Sequence, residues 1–403
     1  MADNSSLGTA KQAKNDEFYT QYNDIEAEMN AYVEYNPDVF RGKTILLPCD
    51  DPEWSNFTKY FASNFTRFGI KKLISTSYAK GAANREISLF ESESPSFDAA
   101  KHSTHGKLFT LTRDKDHSGN IDTDDIEFNG YLEGDGDFNS AEVRKLRDEA
   151  DIIITNPPFS QFRRFLAWIM EADKKFVIIG NQNAITYKEV FPLLKDNEIW
   201  LGYSIHSGDR KFNVPDDYPL NAANCGIDED GKKFIRVKGV RWFTNLDHGK
   251  RHEYLQLDTM AHNLKFNKKL RKKLEKDFGA VAYPQYDNYD AIEVPFTECI
   301  PSDYDGVMGV PITFMDKYNP EQFTILGITL GNTTPEYAMT KIYEKAVQHN
   351  KNGSKQAGSK VNTRAAICVY DIPANTVYYT AKNVDGYLLS IYPRILIQHK
   401  RGE

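Results

Sequence analysis

The chain has only four cysteines, Cys49, Cys225, Cys299 and Cys368, far apart and with no CxxC pair. That excludes a disulfide framework or a cysteine zinc site as the organising device, and a reduced, cytoplasmic setting is the default. No apolar run reaches membrane-spanning length. The longest, such as Ile152-Ile153-Ile154 and Phe176-Val177-Ile178-Ile179, suit single buried strands. The first fifteen residues are polar and lack the apolar core of a signal peptide. A surplus of positive charge is missing too: 50 Lys and Arg against 57 Asp and Glu leave a formal charge of −7. Any nucleic-acid surface must therefore be a local patch. What remains is a globular balance, 40% hydrophobic and 27% charged, in 403 residues, enough for two or three domains.

Local patterning predicts alternating strands and helices. Asn23-Asp24, with Glu26 in capping-box position, opens a helix. Thr44–Leu47 is a short buried strand that runs into Cys49-Asp50-Asp51-Pro52, with Asp51 as N-cap and Pro52 as first helical residue. Phe57, Tyr60, Phe61, Asn64, Phe65 and Phe68 follow at helical spacing and stop at Gly69; Lys72–Thr76 is a second strand. Strand, helix, strand with short joints is a βαβ unit, the builder of parallel sheets. The alternation resumes with strands at Ala150–Thr155 and Lys175–Ile179, and helices at Gln161–Ala172 and Tyr187–Leu194. Ile199–Gly202 reads as another strand, and Lys233–Thr244 as a hairpin turning near Gly239. The expected fold class is α/β: residues 1–247 hold a doubly wound domain, and 248–403 a second region with short β runs and one basic helix. Asn350–Ser359, polar and glycine-rich, reads as a loop.

The sharpest local signal is Asp151-Ile-Ile-Ile-Thr-Asn156-Pro157-Pro158-Phe159. A buried strand delivers Asn156 at its carboxyl end, where open α/β sheets bind ligands. Two prolines remove two N–H donors and stiffen the turn. The Asn156 amide oxygen and a proline carbonyl are then free to accept from one planar amino group. Accepting both of its hydrogens draws the nitrogen lone pair out of conjugation and towards an electrophile, while Phe159 stacks on the ring that bears the amine. A strand-ending turn with a core phenylalanine is the plain structural reading of the same residues.

This motif resembles that of S-adenosylmethionine-dependent amino-methyltransferases, which act on adenine, cytosine or glutamine amides. Further blocks narrow the choice: Asn15-Asp16-Glu17-Phe18-Tyr19-Thr20, Cys49–Pro52 with Ser55-Asn56-Phe57, Gly134-Asp135-Gly136-Asp137-Phe138, Gly180–Thr186, Arg241–Asn245, and Met308–Phe314 through Asp316–Pro320. Together, from about residue 15 to 327, they resemble the EcoRI-type adenine-specific DNA methyltransferases. The resemblance implies a Rossmann-like S-adenosylmethionine-dependent catalytic domain followed by an α+β target-recognition region. It implies N6 methylation of adenine in a specific duplex DNA sequence, with base flipping. Asn156, Pro157, Pro158 and Phe159 would be the catalytic motif. Phe18, Tyr19, Thr20, Asp50 and Asp51 would contact the methionine end of the cofactor, and Asp137 and Phe138 its adenine. A cognate restriction endonuclease would belong to the same system without direct contact. The chain departs from the pattern in two places: no glycine-rich loop follows the first strand, and Ser75-Thr76-Ser77 ends the second with no acid for the ribose.

Two charged stretches remain. Asp114–Asp125 has calcium-loop spacing, but strand-like flanks at Leu108–Thr112 and Ile126–Phe128 favour a polar hairpin loop, so no metal is expected. Lys265–Lys276 carries seven basic residues and one acidic; Leu264, Leu270, Leu274 and Phe278 would form its apolar stripe. Lys268, Lys269 and Lys272, with Arg241, are the candidate DNA contacts, against the plain reading of a solvated helix face. Two other functions stay open: an RNA or protein-glutamine amino-methyltransferase, and a non-catalytic, calcium-regulated DNA-binding protein.

Overall fold

A computed structural model describes residues 18–52, 55–79, 94, 96–206, 208–214, 218, 220, 224–331 and 334–400. The polar tail before residue 18 lies outside them. The chain falls into two compact units, Met1–Asn183 with Ile199–Gly249, and Ala184–Glu198 with Lys250–Glu403. No helix among the described residues is long and apolar enough to cross a membrane.

In the first unit the strands are β1 (Tyr19–Thr20), β2 (Thr44–Leu47), β3 (Lys72–Thr76), β4 (Lys107–Leu111), β5 (Glu127–Tyr131) and β6 (Ile152–Thr155), then β7 (Lys175–Asn181), β8 (Trp200–Leu201), β9 (Asp209–Asn213), β10 (Cys225–Ile227), β11 (Lys233–Lys238) and β12 (Val240–Thr244). Eight of them form one sheet in the order β5-β4-β3-β2-β6-β7-β12-β8. The centre, β3-β2-β6-β7, is parallel, and the flanking pairs are antiparallel. Every residue of β2 and β6 is buried, as expected of strands covered on both faces. From β2 the chain steps to β3 on one side, then returns to β6 on the other. The strand order therefore reverses between β2 and β6, which is where open α/β sheets bind ligands.

Helix α1 (Tyr22–Tyr35) begins after Gln21 with no side-chain cap, so Asn23-Asp24 does not cap it. Helix α2 (Asn56–Ser63) is capped by Ser55, whose hydroxyl accepts from the Phe57 and Thr58 amides; Asp51 lies outside the helix. The aromatic run breaks at Asn64 into a second short helix, α3 (Phe65–Phe68). Helices α4 (Ala141–Glu149) and α5 (Phe162–Glu171) flank β6 in sequence. Phe57, Phe61, Ile45, Ile154, Ile179 and Trp242 share one buried core.

The expected hairpin over Lys233–Thr244 is not formed. Gly239, at a φ of 72° that favours glycine, turns the chain between two sheets. β11 alternates buried and exposed residues and pairs in the small sheet β1-β9-β11-β10, whereas β12 is wholly buried and pairs with β7 and β8.

The second unit takes α6 (Phe191–Lys195), α7 (Met260–Phe266) and α8 (Lys268–Phe278). Its strands are β13 (Ile292–Glu293), β14 (Met308–Pro311), β15 (Phe323–Ile328), β16 (Val347–His349), β17 (Lys355–Ala357), β18 (Ala366–Val369), β19 (Tyr378–Thr380), β20 (Tyr387–Ser390) and β21 (Arg394–His399). They form two sheets, β13-β14-β21-β15 and β17-β16-β19-β20-β18. The expected loop at Asn350–Ser359 is in part strand, since Lys355–Ala357 pairs with Val347–His349. The basic stretch is two helices, not one. Asn267 ends α7 and caps α8 by accepting from the Leu270 amide.

Candidate active site

A cleft lies at the switch point. Its lining comes from three places: Phe18 with Tyr19 and Thr20 of β1, Cys49 and Asp50 after β2 with the cap Ser55 and Asn56 and Phe57 of the following helix, and Asn156 after β6. The three blocks meet because β1 pairs with β9, and because the Asn56 amide donates to the Thr20 carbonyl at 2.7 Å. Asn56 has no assigned role in the sequence reading; only its place in the block Ser55-Asn56-Phe57 signals it.

Asn156 is held in one orientation. Its Nδ2 donates to the Phe18 carbonyl at 2.7 Å, so its Oδ1 faces the other way. That Oδ1 is buried and has no hydrogen-bond partner, and the same is true of the Thr20 hydroxyl in the same cleft. A buried acceptor left unmatched is costly, typically about 1–3 kcal/mol, and is rare in folded chains unless a ligand completes it. Of the two proline carbonyls, that of Pro158 accepts from the Gln161 amide at 2.8 Å. Phe159 is half-buried, edge-on to Phe18 at 5.6 Å and to Phe212 at 6.3 Å.

Asp50 is buried, and both carboxylate oxygens are engaged: one accepts from the Ser55 hydroxyl at 2.9 Å, the other from the Thr155 hydroxyl at 2.6 Å. It thus ties the cap of α2 to the strand that presents Asn156. Asp51, half-buried, stands 3.9 Å from the buried Lys107 ammonium. Cys49 takes a left-handed φ of 65° at the turn after β2.

The loop carrying Asp137 and Phe138 packs against the end of β3. Gly136, at a φ of 86°, is required there, because a Cβ would overlap the Ser77 carbonyl oxygen. Glu142 fixes the loop by accepting from the Glu133 and Gly134 amides. Phe138 is buried against Phe165 and Trp168, with ring centroids at 5.0 and 5.6 Å, so its ring serves the core more than an open surface. Asp137 is half-buried and accepts from the Asn139 amide. Partial burial, reinforced by Asp135 and Asp137, raises the pKa of the neighbouring Tyr78 hydroxyl.

Arg241 corrects the expectation of a DNA contact. It is 2% exposed, and its guanidinium donates to the Val240 and His206 carbonyls, because β12 is a central strand with both faces covered. Lys268 and Lys272 are exposed on α8, while Lys269 is 2.9 Å from Glu298 and over the Phe296 ring at 4.0 Å.

The Asp114–Asp125 segment is a loop between the antiparallel strands β4 and β5. Asp114, Asp116 and Asp125 bring carboxylate oxygens within 4.8 Å of one another. Asp125 accepts from the Lys115, Asp116 and Asp122 amides, and Asp114 from the Ser118 and Gly119 amides. The loop's own amides thus offset its charge. The methyl transfer that the resemblance implies also needs no Lewis acid, so turnover should be unchanged in excess chelator; loss in chelator with recovery on adding calcium would contradict this.

Comparison with known proteins identifies the family. The family model described as adenine-specific methyltransferase EcoRI matches residues 6–372. The chain is 44% identical to the Type II methyltransferase M.EcoRI of Escherichia coli over 332 residues, covering 82% of this chain and 91% of that one. It is 33% identical to M.MpnI of Mycoplasma pneumoniae, over 79% of this chain and 83% of the relative. It is 34% identical to M.MgeORF184P of Mycoplasma genitalium, over 79% and 84%. No solved structure matches. With a matching family model over most of its length and a relative at 44% identity, the chain belongs to the EcoRI family of adenine-specific methyltransferases.

Proposed function

We propose that the switch-point cleft holds S-adenosylmethionine beside a flipped-out adenine, and that Asn156 accepts from the adenine amino group. The enzyme is a site-specific adenine DNA methyltransferase. The observation that carries the assignment of residues is the buried, unpartnered Asn156 Oδ1, fixed in direction by the Phe18 carbonyl. S-adenosylmethionine supplies the electrophilic methyl group. The unmatched Thr20 hydroxyl and the Tyr19-Thr20 backbone supply polar contacts that suit its methionine end. Asp50 braces that wall, and its assignment as a direct ligand rests on the family resemblance. With the Pro158 carbonyl engaged, the Pro157 carbonyl is the second acceptor. Two acceptors on one amine make N6 more nucleophilic. The sheet order, reversing at the cleft, suits a Rossmann-like methyltransferase domain in the first unit. The second unit would recognise the target sequence, the chain would act in the cytoplasm, and a cognate nuclease would act on the same sequence without touching it.

The test is to incubate the full chain with labelled S-adenosylmethionine and, separately, unmethylated duplex DNA, RNA and protein, then identify the labelled product. N6-methyladenine in duplex DNA is expected; label on cytosine, RNA or glutamine would overturn the reading.

Phe159→Ala gives a paired check. A ring stacked on the flipped base contributes about 1–3 kcal/mol, so the rate should fall about 5- to 150-fold. The loss should shrink when the adenine sits opposite a mismatch, where part of the unstacking cost is already met. Equal losses on matched and mismatched duplexes, with a large fall in thermal stability, would show the ring to be structural.

A further inference from the structure

We infer that Lys268, Lys272 and Lys276 form a track for one phosphate strand of duplex DNA, a contact that supports affinity without reading sequence. The inference rests on the duplex-DNA function proposed above. Helix α8 is anchored by Leu270 and Leu274, both fully buried, and ends at Gly279. At 100° per residue, Lys268, Lys272 and Lys276 form a single stripe opposite those leucines, and all three are exposed. Four residues of helix advance about 6 Å, so the stripe offers evenly spaced charges along a line.

Two neighbouring cations differ, while Arg271 donates only to the Lys265 carbonyl. Lys269 is paired with Glu298 at 2.9 Å, and Lys273 with Asp277 at 2.6 Å. No carboxylate lies within ion-pair reach of the three stripe lysines among the described residues. Three lysines against one exposed carboxylate, Glu275, at the edge of the stripe leave this face net positive in a chain of formal charge −7. A regularly charged polyanion complements it. A membrane surface does not, because the apolar side of the helix is already buried in the protein.

The test is the salt dependence of duplex binding by the full chain. Each phosphate contact contributes about 0.9 to the slope of log K against log salt. The triple variant Lys268→Gln, Lys272→Gln, Lys276→Gln should therefore lower that slope by about 2–3 and weaken specific and non-specific duplexes alike, with the methylated sequence unchanged. Lys→Arg at the same three positions should keep the slope. Lys269→Gln with Lys273→Gln should move it by less than about 1, since both charges are already paired. Should the triple variant melt early, the pair Lys268→Gln, Lys272→Gln should still lower the slope by about 2. An unchanged slope in a folded variant would overturn the track, as would a loss confined to anionic vesicles or acidic peptides. If the wild-type chain methylates duplex DNA while the slope stays fixed, only the track fails; if it neither binds nor methylates duplex DNA, the DNA reading fails with it.

Discussion

Asn156→Ala is expected to cut methyl transfer by at least about 10²–10³-fold, the scale for removing a pre-oriented polar group that acts on the reacting atoms. Cofactor binding should change only a few-fold, because the side chain is assigned to the target amine. The variant loses the buried Oδ1 and also the bond from Nδ2 to the Phe18 carbonyl. Asn156→Asp separates the two. It keeps an acceptor but puts a carboxylate oxygen in place of the NH2 donor, facing the Phe18 carbonyl. It too should be severely impaired. Rates are to be compared at saturating cofactor and DNA. An alanine variant within about tenfold of wild type would end this mechanism.

The largest stability effect is expected in the second unit. Glu293 accepts from Arg394 through Nε and Nη2, at 2.7–3.1 Å, with the Glu293 side chain 2% exposed. Tyr286 also donates to Glu293, and burial raises the Tyr286 pKa well above its ordinary value, which keeps that proton in place. The pair joins β13 to β21 across the central strand β14. Removing one partner leaves a buried charge alone, so Glu293→Ala should cost about 3–5 kcal/mol of unfolding free energy. Replacing both, as in Glu293→Met with Arg394→Met, should restore much of that loss. Denaturant unfolding of the three proteins checks it; a single-variant loss below about 1 kcal/mol would show the pair to be solvated.

Much of the first unit was legible because its strands are continuous apolar runs and its helices carry apolar spacing. Thr44–Leu47, Lys72–Thr76 and Ile152–Thr155 stand where the pattern puts them. Asp51 is not the cap the pattern predicts, because Pro52 only imitates a first helical residue, while Ser55 has the side chain that reaches the free amides. The Lys233–Thr244 error has a recoverable cause. β11 alternates and β12 does not, which is the signature of a one-sided strand followed by a central one. Arg241 hid it, since an arginine in a covered strand reads as exposed until its carbonyl partners are seen. At the site, the motif itself was legible, but not the orientation of the Asn156 amide. That depends on the Phe18 carbonyl, 138 residues away in sequence.

The most direct measurement is a structure of the full chain bound to a duplex containing its target sequence and to S-adenosylhomocysteine, which lacks the methyl group. The account predicts the target adenine outside the helix, with its amino nitrogen about 2.6–3.2 Å from Asn156 Oδ1 and a second hydrogen bond to the Pro157 carbonyl. An adenine still stacked in the duplex, or one in the cleft with its amino group turned away from Asn156, would contradict it.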